Sequence, residues 1–527
     1  MLFNSFEFLF AFLPLTLLGF FWVGRLGHEP AIAWLVLASL FFYGWWNPSY
    51  VPLIIASMLV NYGIGRRLGR EHQPRSTSAR VLLVLGIAFN LGLLGWYKYA
   101  NFGVETLNAV LGTDIHLHQV LLPLAISFFT FQQIAYLVDA YQGIAREYHF
   151  SHYLLFVTFF PQLIAGPIVH HKEMLPQFLR KETLRPDVAN LAIGGTIFVI
   201  GLFKKTVFAD GVAVHATPIF DRAAGGDTLT FFEAWGGALA YTWQLYFDFS
   251  GYSDMAIGAA RLFGIRLPQN FHSPYKATSI VEFWRRWHMT LSRFLRDYLY
   301  IPLGGNRHGA FKRYRNLLLT MLLGGLWHGA GWTFIIWGAL HGVYLIMNHA
   351  WDRVWVAVAP RPFLPRAAAR LLAWSITFVA VVIGWVFFRA ADLDAALRML
   401  AAMSGLHGVA LPNAIAMSLG DLWPVLSALG VGTYLGGGAD FALTWAWVLA
   451  LAPVALIMPN SMQIMARFQP VLKLYSADHR HELRLMPTRM QPLRWRPAIP
   501  AGVATGVCAA LAILAMSRVS EFLYFQF

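Results

Sequence analysis

Long apolar runs recur along the whole chain and are separated by short polar segments. Most of them approach the about 20 residues that an α-helix needs to cross a bilayer. The runs occupy residues 6–24, 31–47, 49–65, 81–98, 119–141, 187–210, 231–263, 316–349, 371–388, 441–459 and 499–517. This pattern predicts an all-α polytopic membrane protein with roughly ten to twelve spans, in which run 316–349 is long enough for a helical hairpin or one bent segment pair.

Residues 152–171 depart from this pattern. Pro161, Gly166 and Pro167 interrupt an otherwise apolar stretch, and proline inside a helix removes a backbone hydrogen bond and clashes with the preceding turn. Backbone that leaves the helix at membrane depth must be buried in protein or line a cavity. We therefore expect a broken or re-entrant segment here.

Composition supports a membrane protein. Of the 527 residues, 57% are hydrophobic and 13% are charged, whereas soluble domains carry about 25% charged residues. The apolar character extends over the whole length, without internal repeats and without a long polar segment that could form a soluble domain. The prediction is a single membrane-embedded domain over residues 1–527.

The net charge is +14, which in a soluble protein would suggest nucleic acid as a partner. Here the basic residues concentrate in short polar segments, as in cytoplasmic loops that face anionic lipid. The expected partner is therefore the lipid bilayer and not nucleic acid. The basic segments are residues 66–80, 171–186, 265–315, 353–370 and 460–498.

Alternation of these cytoplasmic segments places both chain termini at the periplasmic face. Residues 100–118, 211–230 and 390–440 are then expected to be external, and the last of these has enough apolar content for partly embedded helices. The first apolar run lacks the basic n-region and the cleavage site of a secretory signal, so it is predicted to be a retained span.

The chain offers little for metal binding or for a serine or cysteine nucleophile. Its one cysteine, Cys508, excludes an intrachain disulfide and a cysteine metal cluster. No metal-binding His-x-x-x-His pair, Gly-x-Ser-x-Gly elbow or phosphate-binding glycine-rich loop occurs. Neither a bound metal nor a bound cofactor is predicted.

Residues 279–298 predict an amphipathic helix at the cytoplasmic interface. Ser279 followed by Glu282 is a capping-box signature for its start. At about 100° per residue, one face is apolar with His288 at its edge, and the opposite face is basic. The apolar face comprises Trp284, Trp287, Leu291, Phe294, Leu295 and Tyr298, and the basic face comprises Arg285, Arg286, Arg293 and Arg296.

Two interpretations of this helix remain open. It is either a surface helix that meets lipid headgroups, with a histidine that only packs, or the binding site of an anionic donor. Arg285, Arg286 and Arg296 would suit the phosphates of such a donor, because the planar guanidinium donates two hydrogen bonds. Trp284 and Trp287 would flank the donor in the second case.

His328 lies deep inside run 316–349, about 18 Å of helix from its start. Ionisable side chains at such depth are rare and usually line a cavity or take part in chemistry. Glycines flank it, so that backbone or substrate can approach closely. A neutral imidazole can act as a general base for acyl transfer. The alternative is a buried histidine satisfied by a backbone carbonyl, which is the favoured interpretation of His341 further along the run.

Several motifs together resemble the membrane-bound O-acyltransferase (MBOAT) superfamily, and above all its branch of alginate O-acetyltransferase membrane subunits. The mark of the superfamily is a histidine in a hydrophobic segment with a second polar residue upstream, here His328 and His288. The other similar stretches are residues 41–46 (FFYGWW), 128–132 (FFTFQ), 160–167 (FPQLIAGP), 247–254 (FDFSGYSD), 283–292 (FWRRWHMTLS), 300–305 (YIPLGG) and 326–329 (LWHG).

The resemblance implies a ring of tilted helices around a thin centre, crossed by a transmembrane tunnel. It implies that His328 is the catalytic histidine and His288 its partner. It also implies that an acetyl group from cytoplasmic acetyl-CoA or an acyl carrier crosses the inner membrane toward an exopolysaccharide such as alginate, with periplasmic acetyltransferase subunits as partners.

Other functions stay open at this point. The related D-alanyl transferases of the teichoic-acid pathway are shorter and take their donor from a carrier protein, so D-alanyl or other acyl transfer is the nearest alternative. A transporter or flippase would also use a basic interface helix and broken apolar segments, although the absence of repeats counts against it. A subunit that only recruits periplasmic enzymes would need neither histidine.

Overall fold

The computed structural model describes residues 1–70, 76–118, 120–145, 149–358, 365–472 and 488–516, together with Leu523. Parts of several sequence predictions lie outside the described residues. These parts are Glu71 and Arg75 of the first basic segment, Arg361, residues 473–487, and the aromatic C-terminal end apart from Leu523.

Helices dominate the described part of the chain, which confirms the all-α polytopic class. The first half contains α1 (Leu13–Val23), α2 (His28–Gly44), α3 (Val51–Arg70), α4 (Thr77–Leu94), α5 (Ala100–Leu111), α6 (Ile126–Tyr141), α7 (Phe150–Thr158), α8 (Phe160–Leu163), α9 (His171–Phe178), α10 (Val188–Phe203), α11 (Asp210–Ala224) and α12 (Phe231–Leu262).

The second half is also helical except for one short pair of strands. It contains α13 (Ile280–Trp284), α14 (Met289–Leu295), α15 (Gly309–His328), α16 (Trp332–Val358), α17 (Arg366–Arg389), α18 (Leu393–Met403), α19 (Asn413–Ser418), α20 (Leu422–Ala428), α21 (Gly438–Leu456), α22 (Ser461–Ile464) and α23 (Ile499–Ala515). The parallel strands β1 (Ala410–Pro412) and β2 (Gly432–Tyr434) pair Ala410 with Gly432.

Short π-helical and 3₁₀ segments extend or join these helices. The π segments are Phe8–Phe12, Gly95–Tyr99, Lys204–Ala209 and Arg296–Tyr300. The 3₁₀ segments are Gly24–Leu26, Pro48–Tyr50, Lys181–Leu184, Pro274–Lys276, Ala466–Phe468 and Thr488–Leu493.

Five helical stretches of the described chain are long and apolar enough to cross a bilayer, against the roughly ten to twelve expected from the apolar runs. They are Phe8–Leu26, Thr77–Leu111, Val188–Ala224, Arg366–Arg389 and Gly438–Leu456. Three further apolar helices are shorter: α2 and α23 have 17 residues each and α6 has 16. At 1.5 Å per residue they reach about 24–26 Å, less than the about 30 Å of a typical hydrocarbon core.

Helices occupy most of two segments that are expected to be external. Helix α5 occupies most of residues 100–118, and α11 occupies most of residues 211–230. In both places a π-helical segment continues the preceding apolar helix, giving unbroken stretches of 35 and 37 residues. A drop in hydrophobicity does not end a helix whose backbone hydrogen bonds continue, and the side of the membrane on which these helices lie stays a prediction.

The broken segment expected in residues 152–171 is confirmed. Helix α7 ends at Thr158, α8 lasts for four residues, and irregular backbone follows as far as His170. The segment is buried, and the Gln162 side-chain amide donates a 2.6 Å hydrogen bond to the carbonyl of Phe156. Protein side chains therefore satisfy part of the backbone that leaves the helix, as burial requires.

The described chain groups into two compact units. The first comprises Met1–Phe203, Gly251–Asn270 and Ser461–Ser517, and the second comprises Lys204–Ser250, Phe271–Asn460 and Arg518–Phe527. Both are assembled from separated stretches of chain. The single domain over residues 1–527 and the ring with its tunnel stay predictions.

A buried ionic cluster lies inside the second unit. The Nζ of Lys205 is 2.7 Å from Oδ1 of Asp210 and 2.7 Å from Oδ1 of Asp248. The backbone N–H of Leu523 donates to the other oxygen of Asp248 at 3.3 Å. All three charged side chains are at least 94% buried, so the ammonium of Lys205 offsets the charge of the two carboxylates where water cannot solvate them.

Candidate active site

The amphipathic helix expected over residues 279–298 is not one helix, and that prediction was wrong. Helix α13 ends at Trp284, α14 begins at Met289, and a π segment follows from Arg296. Between α13 and α14, His288 adopts a left-handed conformation with φ 41° and ψ 53°. Such a conformation is uncommon for a residue other than glycine. It turns the chain so that the imidazole of His288 is fully buried.

The start of α13 follows the capping prediction in part. The Oγ of Ser279 accepts the backbone N–H of Glu282 at 3.1 Å, as predicted. The Glu282 carboxylate accepts the N–H of Thr278 at 2.7 Å instead of that of Ser279, and it pairs with Arg286 at 2.6 Å. Burial raises the pKa of Glu282, but hydrogen bonds from Thr278 and the charge of Arg286 outweigh it, so the pKa is lowered overall.

His288 lies in an aromatic environment. Its ring centroid is 4.8 Å from that of Phe249 on α12 and 6.3 Å from that of Phe271. Burial lowers the pKa of His288 to about 3. The imidazole is therefore neutral at physiological pH.

His328 is the last residue of α15, at the turn of the predicted hairpin of α15 and α16, which the structure confirms. Its side chain is buried, and its ring centroid is 5.1 Å from Trp337 on α16 and 5.3 Å from Phe388 on α17. The expected close approach at the glycines is also confirmed. A Cβ on Gly325 would collide with the carbonyl oxygen of Phe334 on α16.

The structure brings the two predicted histidines together. The ring centroids of His288 and His328 are 6.4 Å apart, and that of Trp327 lies 6.2 Å from the first and 5.0 Å from the second. Residues distant in sequence thus meet in one buried aromatic cluster within the second unit.

A third histidine belongs to the same cluster. His341 on α16 is fully buried, and its Nδ1 accepts a 3.3 Å hydrogen bond from the indole Nε1–H of Trp284. Its ring centroid is 4.9 Å from that of Trp337, which also contacts His328. The sequence reasoning missed Trp337. Its spacing of four residues from His341 places both on one helix face, a signal that could have revealed it.

The predicted donor-binding side chains fall into two environments. Trp284 and Trp287 lie in the aromatic cluster, where the Trp287 ring packs 4.9 Å from Trp385. Arg285 is exposed, whereas Arg286 pairs with Glu282, and Arg296 is exposed but bound at 2.7 Å by its neighbour Asp297. Of the three predicted arginines, Arg285 is the one whose charge no carboxylate offsets in a described ion pair.

Sequence reasoning also did not connect Arg285 with two further arginines whose charges act at the same place. The positive charges of Arg313 on α15, Arg353 on α16 and Arg285 all act on His349 near the end of α16, where the carboxylate of Asp352 opposes them. Fifteen residues of α15 separate Arg313 from His328, about 22 Å of helix at 1.5 Å per residue. The hairpin therefore carries positive charge at one end and the histidines toward the other.

Known proteins resemble this chain over most of its length. Residues 116–384 match the model of MBOAT, the membrane-bound O-acyltransferase family. A peptidoglycan O-acetyltransferase of Helicobacter pylori is 49% identical over 438 residues, which are 78% of this chain and 81% of that protein. A probable alginate O-acetylase AlgI of Pseudomonas aeruginosa is 46% identical over 76% of this chain and 75% of its own. A teichoic acid D-alanyltransferase of Bacillus subtilis is 31% identical over 45% of this chain and 61% of that protein.

Proposed function

Because the chain belongs to the membrane-bound O-acyltransferase family and is a multi-pass membrane O-acyltransferase, we propose that it passes an acetyl group from a cytoplasmic donor across the bacterial inner membrane toward a cell-surface polysaccharide. The observation that carries this proposal is the buried pair of His288 and His328, whose rings are 6.4 Å apart. The matching relatives named as O-acetyltransferases or O-acetylases support acetyl as the group transferred.

In the proposed reaction His328 is the general base. A neutral imidazole at the α15 turn takes the proton of an acceptor hydroxyl as the hydroxyl oxygen attacks the acyl carbon. The surrounding rings of Trp327, Trp337 and Phe388 exclude water, which would otherwise compete as an acceptor.

His288 is the proposed partner of His328. With a pKa lowered to about 3 by burial, it is too weak a base to hold the proton at neutral pH. As a neutral ring it donates or accepts one hydrogen bond per nitrogen. We assign it the orientation of the acceptor hydroxyl or the acyl group beside His328.

The proposed donor is an acyl thioester, either acetyl-CoA or an acetylated carrier, used as a substrate and not as a resident cofactor. The charged part of the donor would meet Arg285, Arg313 and Arg353, and its acyl end would reach the histidines along the hairpin. Arginine suits phosphate recognition because its planar fork donates two hydrogen bonds. Arg286 and Arg296 would contribute less to donor binding, because the carboxylates of Glu282 and Asp297 offset part of their positive charge.

Arg285→Gln should raise the KM for the donor about 5- to 30-fold with little change in kcat, because one charge-assisted contact to phosphate is worth roughly 1–2 kcal/mol. Steady-state kinetics with acetyl-CoA as the varied substrate measures this effect. Arg296→Gln is the matched control and should change KM less, since Asp297 already offsets its charge at 2.7 Å. If the two substitutions raised KM equally, the proposal that Arg285 contacts the charged part of the donor would be wrong.

Alginate is the acceptor that the proposal names first, because probable alginate O-acetylases are 44–46% identical to this chain. Peptidoglycan is the second candidate, favoured by the 49% identical relative named for it. In either case, periplasmic acetyltransferase subunits would complete the transfer onto polymer. The D-alanyltransferase likeness covers less than half of the chain, which makes D-alanyl transfer the weaker alternative.

Reconstitution of the full-length chain in proteoliposomes tests this function. Radiolabelled acetyl-CoA, acetylated acyl carrier protein and D-alanyl carrier protein are supplied on one side, and alginate or peptidoglycan fragments on the other. Periplasmic acetyltransferase subunits of polysaccharide acetylation systems are added in a parallel series. We expect acetyl, and not D-alanyl, to reach one of the two polymers. Label that crosses as intact donor would indicate a transporter, and the proposal would then be wrong.

A further inference from the structure

Two buried N–H groups beside His328 have no hydrogen-bond partner among the described residues. The indole Nε1 of Trp337 belongs to a side chain that is 1% exposed, and the Nε2 of His341 to one that is fully buried. Buried polar groups are nearly always paired, so an unpaired one calls for an explanation such as a bound ligand. Because both unpaired N–H groups lie on one face of α16, a single bound ligand could explain both.

The proton on His341 can be placed from its neighbour. The Nε1–H of Trp284 donates to Nδ1 of His341 at 3.3 Å, and indole nitrogen is only a donor. Nδ1 must therefore be the acceptor nitrogen, and the single proton of the neutral ring lies on Nε2. Both unpaired groups, Nε1 of Trp337 and Nε2 of His341, are donors.

Gly384 on α17 lies close to both donors. A Cβ on Gly384 would lie 2.8 Å from Nε2 of His341 and 3.6 Å from Cδ1 of Trp337, the ring atom bonded to Nε1. The two donor edges thus approach one glycine from α16. A side chain at residue 384 would be tighter than ordinary contact with Nε2 of His341, so glycine at this position leaves both donor edges uncovered by a side chain of α17.

We propose that Trp337 and His341 together bind the carbonyl oxygen of the acyl donor and stabilise the negative charge that develops on it. This inference rests on the proposed function, since it assumes acyl transfer at His328. The ring centroid of Trp337 is 5.1 Å from that of His328 and 4.9 Å from that of His341. The carbonyl oxygen can therefore face the donors while the acyl carbon faces the base.

The electrons and protons of the step balance without a further reactant. The acceptor oxygen forms a bond to the acyl carbon, His328 takes the hydroxyl proton, and the C=O π pair moves onto the carbonyl oxygen, where the two N–H groups donate to it. When the C=O bond re-forms, the C–S bond breaks and the thiolate leaves with the proton held by His328. Donors fixed in advance at that oxygen lower the barrier because they need no reorganisation.

Trp337→Phe tests the role of the first donor, because it keeps an aromatic ring and removes the N–H. We expect kcat for acetyl transfer from acetyl-CoA to fall about 10²-fold, the usual effect of losing one such donor, with KM nearly unchanged. The matched control is Trp385→Phe. Trp385 is equally buried and stacks on Trp337 at 5.9 Å, but its Nε1–H already donates to the Tyr275 hydroxyl at 3.1 Å. Its substitution should lower stability and spare kcat per folded molecule.

A pair of substitutions at His341 tests the second donor independently of Trp337. His341→Gln retains an N–H donor and should keep most of kcat, whereas His341→Phe should lose about 10²-fold. If Trp337→Phe does not fold, the comparison of His341→Gln with His341→Phe still tests whether an N–H donor is needed at this site.

Each outcome separates the inference from the function on which it rests. Normal kcat in folded Trp337→Phe and His341→Phe, while His328→Ala is inactive, would overturn the donor pair alone. Equal losses in Trp337→Phe and Trp385→Phe would indicate packing and overturn it as well. Absence of acetyl transfer by the wild-type chain would overturn the proposed function and the inference with it.

Discussion

His328→Ala should lower the rate of acetyl transfer about 10²- to 10⁴-fold, the range that a positioned general base contributes. The imidazole is buried at the end of α15, between Trp327, Trp337 and Phe388. Water that entered the space left by the substitution would be a far weaker base. The measurement is single-turnover transfer of labelled acetyl by the purified, reconstituted variant, normalised to folded protein.

The control for this substitution is another buried histidine. His171 is 9% exposed and packs against Tyr136 and Phe156 at centroid distances of 5.8 and 5.5 Å in the first unit. His171→Ala should lower stability, as loss of buried packing does, and leave transfer per folded molecule intact. Normal transfer by His328→Ala would instead favour a subunit that only recruits other enzymes, and the catalytic assignment would be wrong.

Lys205→Met should destabilise the second unit by about 3–5 kcal/mol, the cost of removing one partner from a buried ion pair. The substitution leaves the carboxylates of Asp210 and Asp248 without the ammonium that lies 2.7 Å from each. Thermal unfolding of the detergent-solubilised protein, followed by size-exclusion fluorescence, measures the loss. Addition of Asp248→Asn should recover part of it, because the double variant buries one uncompensated charge fewer.

Lys204 provides the matched control for Lys205, since the two lysines are adjacent in one π-helical segment. Lys204 is only partly buried and lies over the ring of Tyr246 at 5.7 Å. Loss of that contact is worth about 0.5–2 kcal/mol, so Lys204→Met should cost less. Equal destabilisation by the two substitutions would show that the ionic cluster does not hold the unit together.

The parts of the fold that sequence predicted well are those set by local chemistry. Prolines at positions 161 and 167 indicated the broken segment, because proline lacks a backbone N–H and disfavours helical continuation of the preceding turn. The length of run 316–349 fixed the hairpin of α15 and α16. Gly325 fixed the close crossing of its two helices, because only a residue without Cβ fits against the carbonyl of Phe334.

The prediction of one amphipathic helix over residues 279–298 failed for a reason that periodicity cannot reveal. A helical wheel assumes that every residue takes right-handed helical angles, and His288 does not. Burial of its ring against Phe249 and Phe271, both distant in sequence, accompanies the left-handed turn. The resemblance still identified His288 and His328, because motif recognition does not depend on the angles between them.

By itself, the sequence determined the membrane class, the hairpin, the broken segment and the two histidines with their family motifs. These follow from hydrophobicity, from proline and glycine stereochemistry and from short motifs, all of which act locally along the chain. Only the tertiary structure decided that His288 and His328 meet, that carboxylates hold Arg286 and Arg296, and that Trp284 places the proton of His341. The contacts of His288 with His328 and of Trp284 with His341 join residues far apart in sequence, whose distances no local pattern fixes. The pairs of Arg286 with Glu282 and of Arg296 with Asp297 are local, but which neighbouring side chain each arginine binds depends on side-chain conformations that the sequence pattern does not give.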